Sequence, residues 1–303
     1  MLPTSLQGRM DGHDGSLGGV RENQGIPGTC SWDMTITPKC GWGGTDGVQQ
    51  STAGWLARYP VFEPHWQVTL ADATASGVVT WKDKTYTFTD QPFYAEKNWG
   101  GSFPIKWYWV QCNAFDNYPN LSVTAGGGIR KLPLLGNTEE LGMVSIHYDG
   151  TFYEAVPWTG DMSWNVSPWG KWILRGRCTA GNRLFEAEVV ATCDPQTTPG
   201  VVLRAPTEKE GLVYFCRDSF MADTTLSLWP LEWDGEAKDY VRSGPPLVDA
   251  AKSRQGGVEV GGGPWWDVWK GNSRMRQPMK GLVRFPYLAD QLKNRLEGVN
   301  FLR

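Results

Sequence analysis

Between Tyr94 and Asn113 the sequence reads YAEKNWGGSFPIKWYWVQCN, which sets a carboxyl (Glu96) beside an ammonium (Lys97) and places three amides (Asn98, Gln111, Asn113) and three indoles (Trp99, Trp107, Trp109) within the same twenty positions. A carboxyl held against indole rings loses hydration, which favours its protonated form, while a neighbouring ammonium acts in the opposite sense. A protonated acid in such a setting can donate to a base as weak as an alkene. Tryptophan faces then stabilise the cation, by about 0.5–2 kcal/mol each when desolvated. The plainer alternative makes Glu96 and Lys97 a solvated pair on a turn and the tryptophans core, and composition alone favours it.

The segment KWYWVQCNAF alternates as a strand. Trp107, Trp109, Gln111 and Asn113 share one face, and Tyr108, Val110, Cys112 and Ala114 share the other. One face is aromatic and amide, the other mostly apolar. A strand of a barrel wide enough to hold a ligand, buried on both faces with one lining a semi-polar cavity, has this pattern.

Other candidates are weaker. SIHYDG sets Asp149 beside a glycine, which suits a turn better than a catalytic acid. The glycine triplets of AGGGIR and EVGGGPWW lack the spacing of phosphate-binding loops, so they read as bulges or tight crossings. Ser219 in CRDSF has no nucleophile-elbow glycines around it. Six cysteines without a CxxC pair, and three histidines without ligand spacing, give no metal motif; reduced structural thiols and metal-free chemistry are expected.

The elements that must position these residues are strands. Seventeen Trp, 37 Gly and 20 Pro in 303 residues favour short strands and tight turns. WQVTL alternates with period two, and GVVTWKDKTYTFTD reads as a hairpin turning at Lys82-Asp83-Lys84. A second β series runs from GMVSIHYDG to GGVEVGGGPWW, with strands of about five to eight residues and frequent turn signals, as in a closed antiparallel barrel. YLADQLKNRLEG, with Leu288, Leu292 and Leu296 in register and Gly298 as a stop, predicts a short C-terminal helix. Residues 1–26 read as a disordered leader. A net charge of −3 offers no field for nucleic acid. No run of about 18 apolar residues predicts a membrane span, so any lipid contact is expected to be peripheral.

The blocks STAGWLARYPVFEPHWQ, YAEKNWGGSFPIKWYWVQCN, TAGGGIRKLP, HYDGTFYEAVPW, SPWGKW, LRAPTEKEGL, CRDS and VEVGGGPW occur in this order in tocopherol cyclases. From about residue 40 to 270 the sequence closely resembles that family. The resemblance implies a cofactor-free isomerase of vitamin E biosynthesis, acting on a prenylated benzoquinol in plastids and associated with plastoglobules. It also implies two lipocalin-like antiparallel β-barrels, which the two β series suit: 27–135 in the first and 136–303, with the helix, in the second. Protonation of the prenyl double bond and attack by the phenolic oxygen would close the chromanol ring.

EKNWG stands where related hydratases carry an acidic or histidine position and a tryptophan, and Lys97 takes the place of their histidine. The resemblance carries over to Glu96, Lys97 and Trp99 only; Glu96 is expected to be the acid, with Lys97 beside it and Asp149 in reserve. Asn98, Gln111 and Asn113 would hydrogen-bond the quinol, and Trp99, Trp107 and Trp109 would wall the cation. Relatives carry a further upstream segment, so the first barrel is expected to be incomplete. A non-catalytic prenylquinone-binding protein is the alternative reading.

Overall fold

The computed structural model describes residues 4–11, 29–43, 50–59, 64–101, 103–131, 137–207 and 209–285. It is an all-β protein in two units, Met1–Gln49 with Val68–Glu96, and Gln50–Gln67 with Lys97–Arg303.

The first unit is an antiparallel sheet in the order β1 (Thr4–Asp11), β2 (Thr29–Cys40), β3 (His65–Trp81) and β4 (Lys84–Trp99). Its core is small: Ile36, Ala73 and Ala75, with Met34, Leu70, Phe88 and Phe93 packed against them. The expected hairpin is present, with Lys82 in a left-handed conformation at its turn and the Thr80 and Thr85 hydroxyls 3.3 Å apart across the strands. The disordered leader is corrected in part. Thr4–Asp11 pairs rung for rung with Thr29–Ile36, because Leu6 and Met10 alternate with polar residues as an edge strand requires. Residues 12–26 lie outside the described set.

The second unit contains β5 (Lys106–Cys112), β6 (Leu121–Lys131), β7 (Thr138–Tyr148), β8 (Thr151–Ala155), β9 (Met162–Val166), β10 (Lys171–Ala180), β11 (Arg183–Thr192), β12 (Val201–Thr207), β13 (Gly211–Asp234), β14 (Asp239–Arg242), β15 (Val248–Gly262) and β16 (Trp269–Asn272). Pairing runs β11-β13-β15-β5-β6-β7-β8-β10 and returns from β10 to β11, which closes an eight-stranded antiparallel barrel. Every second side chain points inward. Tyr108, Val110, Cys112, Leu121, Val123 and Ala125 join Trp164, Trp172, Leu174, Phe185 and Leu226 in one buried cluster. Eight strands enclose just enough room for such side chains, and this barrel is filled with them.

Three expectations change. The boundary at 135/136 falls between β6 and β7, which pair from Leu121↔Tyr148 to Lys131↔Thr138 within one barrel. A polar connection between two strands marks a hairpin there and not a change of domain. GLVYFCRDSF and TLSLWPLEW form one strand of 24 residues, β13, since no Gly or Pro lies between the two runs and bulges near Ser219–Thr224 absorb its curvature. The Gly126–Gly128 triplet keeps regular pairing, without a bulge. Its missing side chains make room for rings: a Cβ on Gly127 would meet the Tyr108 hydroxyl at 2.5 Å, and one on Gly126 would touch the Trp66 ring at 3.2 Å. Residues 279–285 are helical, while the predicted Leu288–Leu296 pattern lies outside the described residues.

Candidate functional site

Strand β5 separates the two faces as its alternation demands, but their roles are reversed. Tyr108, Val110 and Cys112 fill the barrel interior. Trp107, Trp109 and Gln111 point to its outer wall, because in a closed barrel the apolar set is drawn inward and the mixed set is left outside. The notion of a ligand inside the barrel is therefore corrected, and the aromatic and amide face is an external wall.

That wall is built as well as the interior. The Trp107 indole donates to the Glu259 carboxylate and stacks at 5.1 Å on Phe103. Gly261 makes room for the Trp107 ring, since an added Cβ would overlap it at 2.0 Å. Half-buried Trp109 packs edge-on against Phe220, itself exposed, at 6.0 Å. Gln111 is 3% exposed. Beyond β5 the wall continues through Ser122 and Thr124 on β6, then Ser145 and His147 on β7, all buried polar residues. Asn113 follows the end of β5 and is half-buried.

The EKNWG block divides between the units. Glu96 belongs to the first, where it is half-buried and accepts a 2.5 Å hydrogen bond from the Tyr94 hydroxyl two residues back on the same face of β4. Lys97, Asn98 and Trp99 belong to the second and are exposed. Trp99 stacks on His65 at 5.1 Å and 13°, and the Lys97 ammonium lies 5.9 Å from the Trp99 ring. Asp149 is exposed, has φ 44° in the turn between β7 and β8, and accepts from the Asn120 amide at 3.2 Å. Those are the marks of a turn residue.

Sequence reasoning passed over Glu154. It sits on β8 inside TFYEAVPW, on the outer wall, opposite Ser145 of β7 and Thr179 of β10. Desolvation alone raises its carboxyl from 4.5 to about 7. The signal available was parity: Tyr153 and Ala155 are apolar and point inward, so Glu154 must share the wall. In the unfolded chain this carboxyl ionises near 4.5, whereas the folded protein resists ionisation until about 7. Below that window both states hold the proton and no penalty arises. Stability is lost as pH rises through the window and levels off above it. The full difference corresponds to about 3 kcal/mol, and partial exposure reduces it to about 2 kcal/mol. Glu154→Gln is therefore expected to match the parent near pH 4.5 and to exceed it by about 2 kcal/mol at pH 8 in chemical denaturation.

All six cysteines are free thiols, and burial pushes Cys178 and Cys216 well above the usual thiol range. Among the described residues no three His, Cys, Asp or Glu side chains gather as metal ligands, and no helix is long and apolar enough to cross a membrane.

Fold and wall together define a β-barrel protein whose outer face joins indole rings, amides and a desolvated carboxyl. A tocopherol cyclase-like family model matches residues 1–262, and the chain belongs to that family. It is 40% identical over 265 residues to the chloroplastic tocopherol cyclase of Zea mays, covering 87% of this chain and 53% of the relative. It is 42% identical over 256 residues to a probable chloroplastic tocopherol cyclase of Oryza sativa subsp. japonica, covering 84% and 52%. The chain thus spans about half the length of the curated relatives it matches. Kievitone hydratase from Nectria haematococca overlays with a TM-score of 0.38 at 12% identity, over 78% of this chain and 62% of that one, a likeness too slight to support any argument.

Proposed function

We propose that the chain cyclises a prenylated benzoquinol to a chromanol without a cofactor. The observation that carries this reading is the family match over residues 1–262, which includes every block of the candidate site. In the proposed reaction an acid protonates the prenyl double bond nearest the ring, and the adjacent phenolic oxygen closes on the tertiary cation. Glu96 is the proposed acid, with Lys97 beside it. Trp99, Trp107 and Trp109 shield the cation from water, whose capture would give an alcohol, and Asn98, Gln111 and Asn113 hydrogen-bond the quinol. Asp149 stays the reserve acid, although its turn position leaves it hydrated. By analogy with its chloroplastic relatives the protein works in plastids, at a lipid-body or membrane surface where its substrate resides.

Among the described residues the sheet of the first unit has four strands in the order β1-β2-β3-β4, without pairing of β1 to β4, which favours keeping one second reading, a protein that binds prenylquinones without converting them. Incubation of the purified chain with a phytyl-benzoquinol distinguishes the two. Chromanol is the expected product, and quinol retained unchanged would establish the binder.

A further inference from the structure

The two ends of the barrel differ. At one of them β5 and β10 begin and β6, β11 and β15 end, as the pairs Lys106↔Gly262, Lys106↔Ile129 and Lys171↔Thr192 require. β16 also begins there, because its Trp269 pairs with Val166, which pairs with Trp172 of β10. β13 is bonded to β15 only from Cys216 onward, so its first residues, paired with β12, overhang this rim as a hairpin. The Phe103 amide donates to the Pro206 carbonyl at 3.3 Å, and the Gly263 amide donates to the Ile105 carbonyl at 2.9 Å. The hairpin, the residues before β5 and the loop between β15 and β16 are therefore neighbours. Each presents large apolar side chains to solvent: Leu212 and Tyr214, then Ile105, then Trp266 and Val268. Trp266 is 85% exposed and Leu212 63%, while the barrel interior is already filled. Water solvates such a group of neighbouring apolar side chains poorly, and in a folded protein it marks a contact surface.

Charge indicates what the contact is with. Lys106, Lys131, Lys171 and Lys270 stand at this end of β5, β6, β10 and β16. The Lys106 ammonium lies 4.1 Å from the Trp265 ring, next to Trp266, and Arg204 lies 4.9 Å from the Tyr214 ring in the hairpin. The exposed acids of this end, among the described residues, are Asp194, Glu210 and Asp267. Turns at the opposite end are acidic, with Asp149 between β7 and β8, and Asp234, Glu236 and Asp239 around the β13–β14 turn. A barrel charged in this way turns its lysine end toward an anionic surface. Indoles beside ammonium groups suit the boundary of a lipid layer, where the ring sits at headgroup level and the lysine head reaches an anionic headgroup along its own apolar stem. Side chains projecting from separate turns can enter a fluid surface that has no matching cavity.

We infer that this end of the barrel docks on an anionic lipid surface, with Leu212 and Trp266 inserted at headgroup level and the lysines set against the headgroup charges. The inference rests on the proposed location at a lipid surface, not on the proposed chemistry, and names the side of the barrel that faces the lipid. Apolar area and cationic attraction contribute together to binding of this kind. The electrostatic part is weakened by salt, whereas the apolar part is not.

The test floats the full chain with phosphatidylcholine vesicles made with and without phosphatidylglycerol, and follows oligomeric state by light scattering, thermal unfolding, and chromanol formation from detergent-dispersed phytyl-benzoquinol. The parent is expected to float with the phosphatidylglycerol vesicles, and less so as salt is raised. Leu212→Ser with Trp266→Ser is expected to weaken that binding about tenfold or more, and Lys171→Glu with Lys270→Glu to weaken it by a similar factor, both unfolding as the parent does. Glu236→Gln at the opposite end is expected to bind within about twofold of the parent. A parent that does not float, or rim variants that float as the parent does, overturns the inference. So does a parent dimer that the Leu212 and Trp266 substitutions convert to monomer, since the rim would then be covered by a second copy. Vesicle binding without chromanol defeats the cyclase reading and leaves the docking surface standing, and chromanol without vesicle binding does the reverse.

Discussion

Glu96→Gln is expected to lower chromanol formation by about 100- to 10,000-fold, the usual contribution of a positioned proton donor. Glutamine keeps the shape of the side chain and an acceptor for the Tyr94 hydroxyl, now 2.5 Å from the carboxyl, so the sheet should fold as before. What is removed is the transferable proton. Asp149→Asn supplies the contrast. Asparagine tolerates the left-handed backbone that Asp149 adopts at φ 44°, and turnover within about twofold of the parent is expected, in line with a surface substitution that touches no special feature. A Glu96 variant with parental turnover would remove that residue from the mechanism, and loss confined to the Asp149 variant would transfer the role there.

The second large effect is on stability. Arg130 of β6 and Glu139 of β7 face one another across the outer wall, with side chains only 8% and 0% exposed. Arg130 Nε donates to Glu139 at 2.7 Å, and the Arg276 amide donates to the same carboxylate at 3.3 Å. Burial lowers the Arg130 guanidinium from its ordinary value, and Glu139 counteracts that. Glu139→Ala leaves the guanidinium buried without its counter-charge, which is expected to cost about 3–5 kcal/mol in urea unfolding. Replacing both partners with leucine should recover much of that loss, since removing a buried pair is far less damaging than splitting one. A single-variant cost below about 1 kcal/mol would show that the pair is solvated in solution.

Different parts of this molecule were legible at different levels. The strand character of β5 and β7 to β11 followed from period-two alternation, and the hairpin at Lys82 from its turn residues. The closed barrel was legible as a class, but its membership was not. β5 and β6 were expected in a first barrel, yet they bond to β15 and β7 in the second. Partners such as Val110 and Val258 are far apart in the chain, and local pattern carries no information about pairing at that range.

The sequence by itself settled that Trp107, Trp109 and Gln111 share a face, because side chains alternate along any strand. It could not settle that this face lies outside the barrel, since both sides of β5 are buried and parity does not distinguish inside from outside. The same holds for Glu154, which in sequence is one acid in an apolar run. Its desolvation, and its place in register with Gln111, Thr124 and Ser145, come from four strands meeting side by side. Alternation is a property of one strand, whereas a residue's dielectric surroundings and neighbours are properties of the assembled sheet, and only the tertiary structure supplies them.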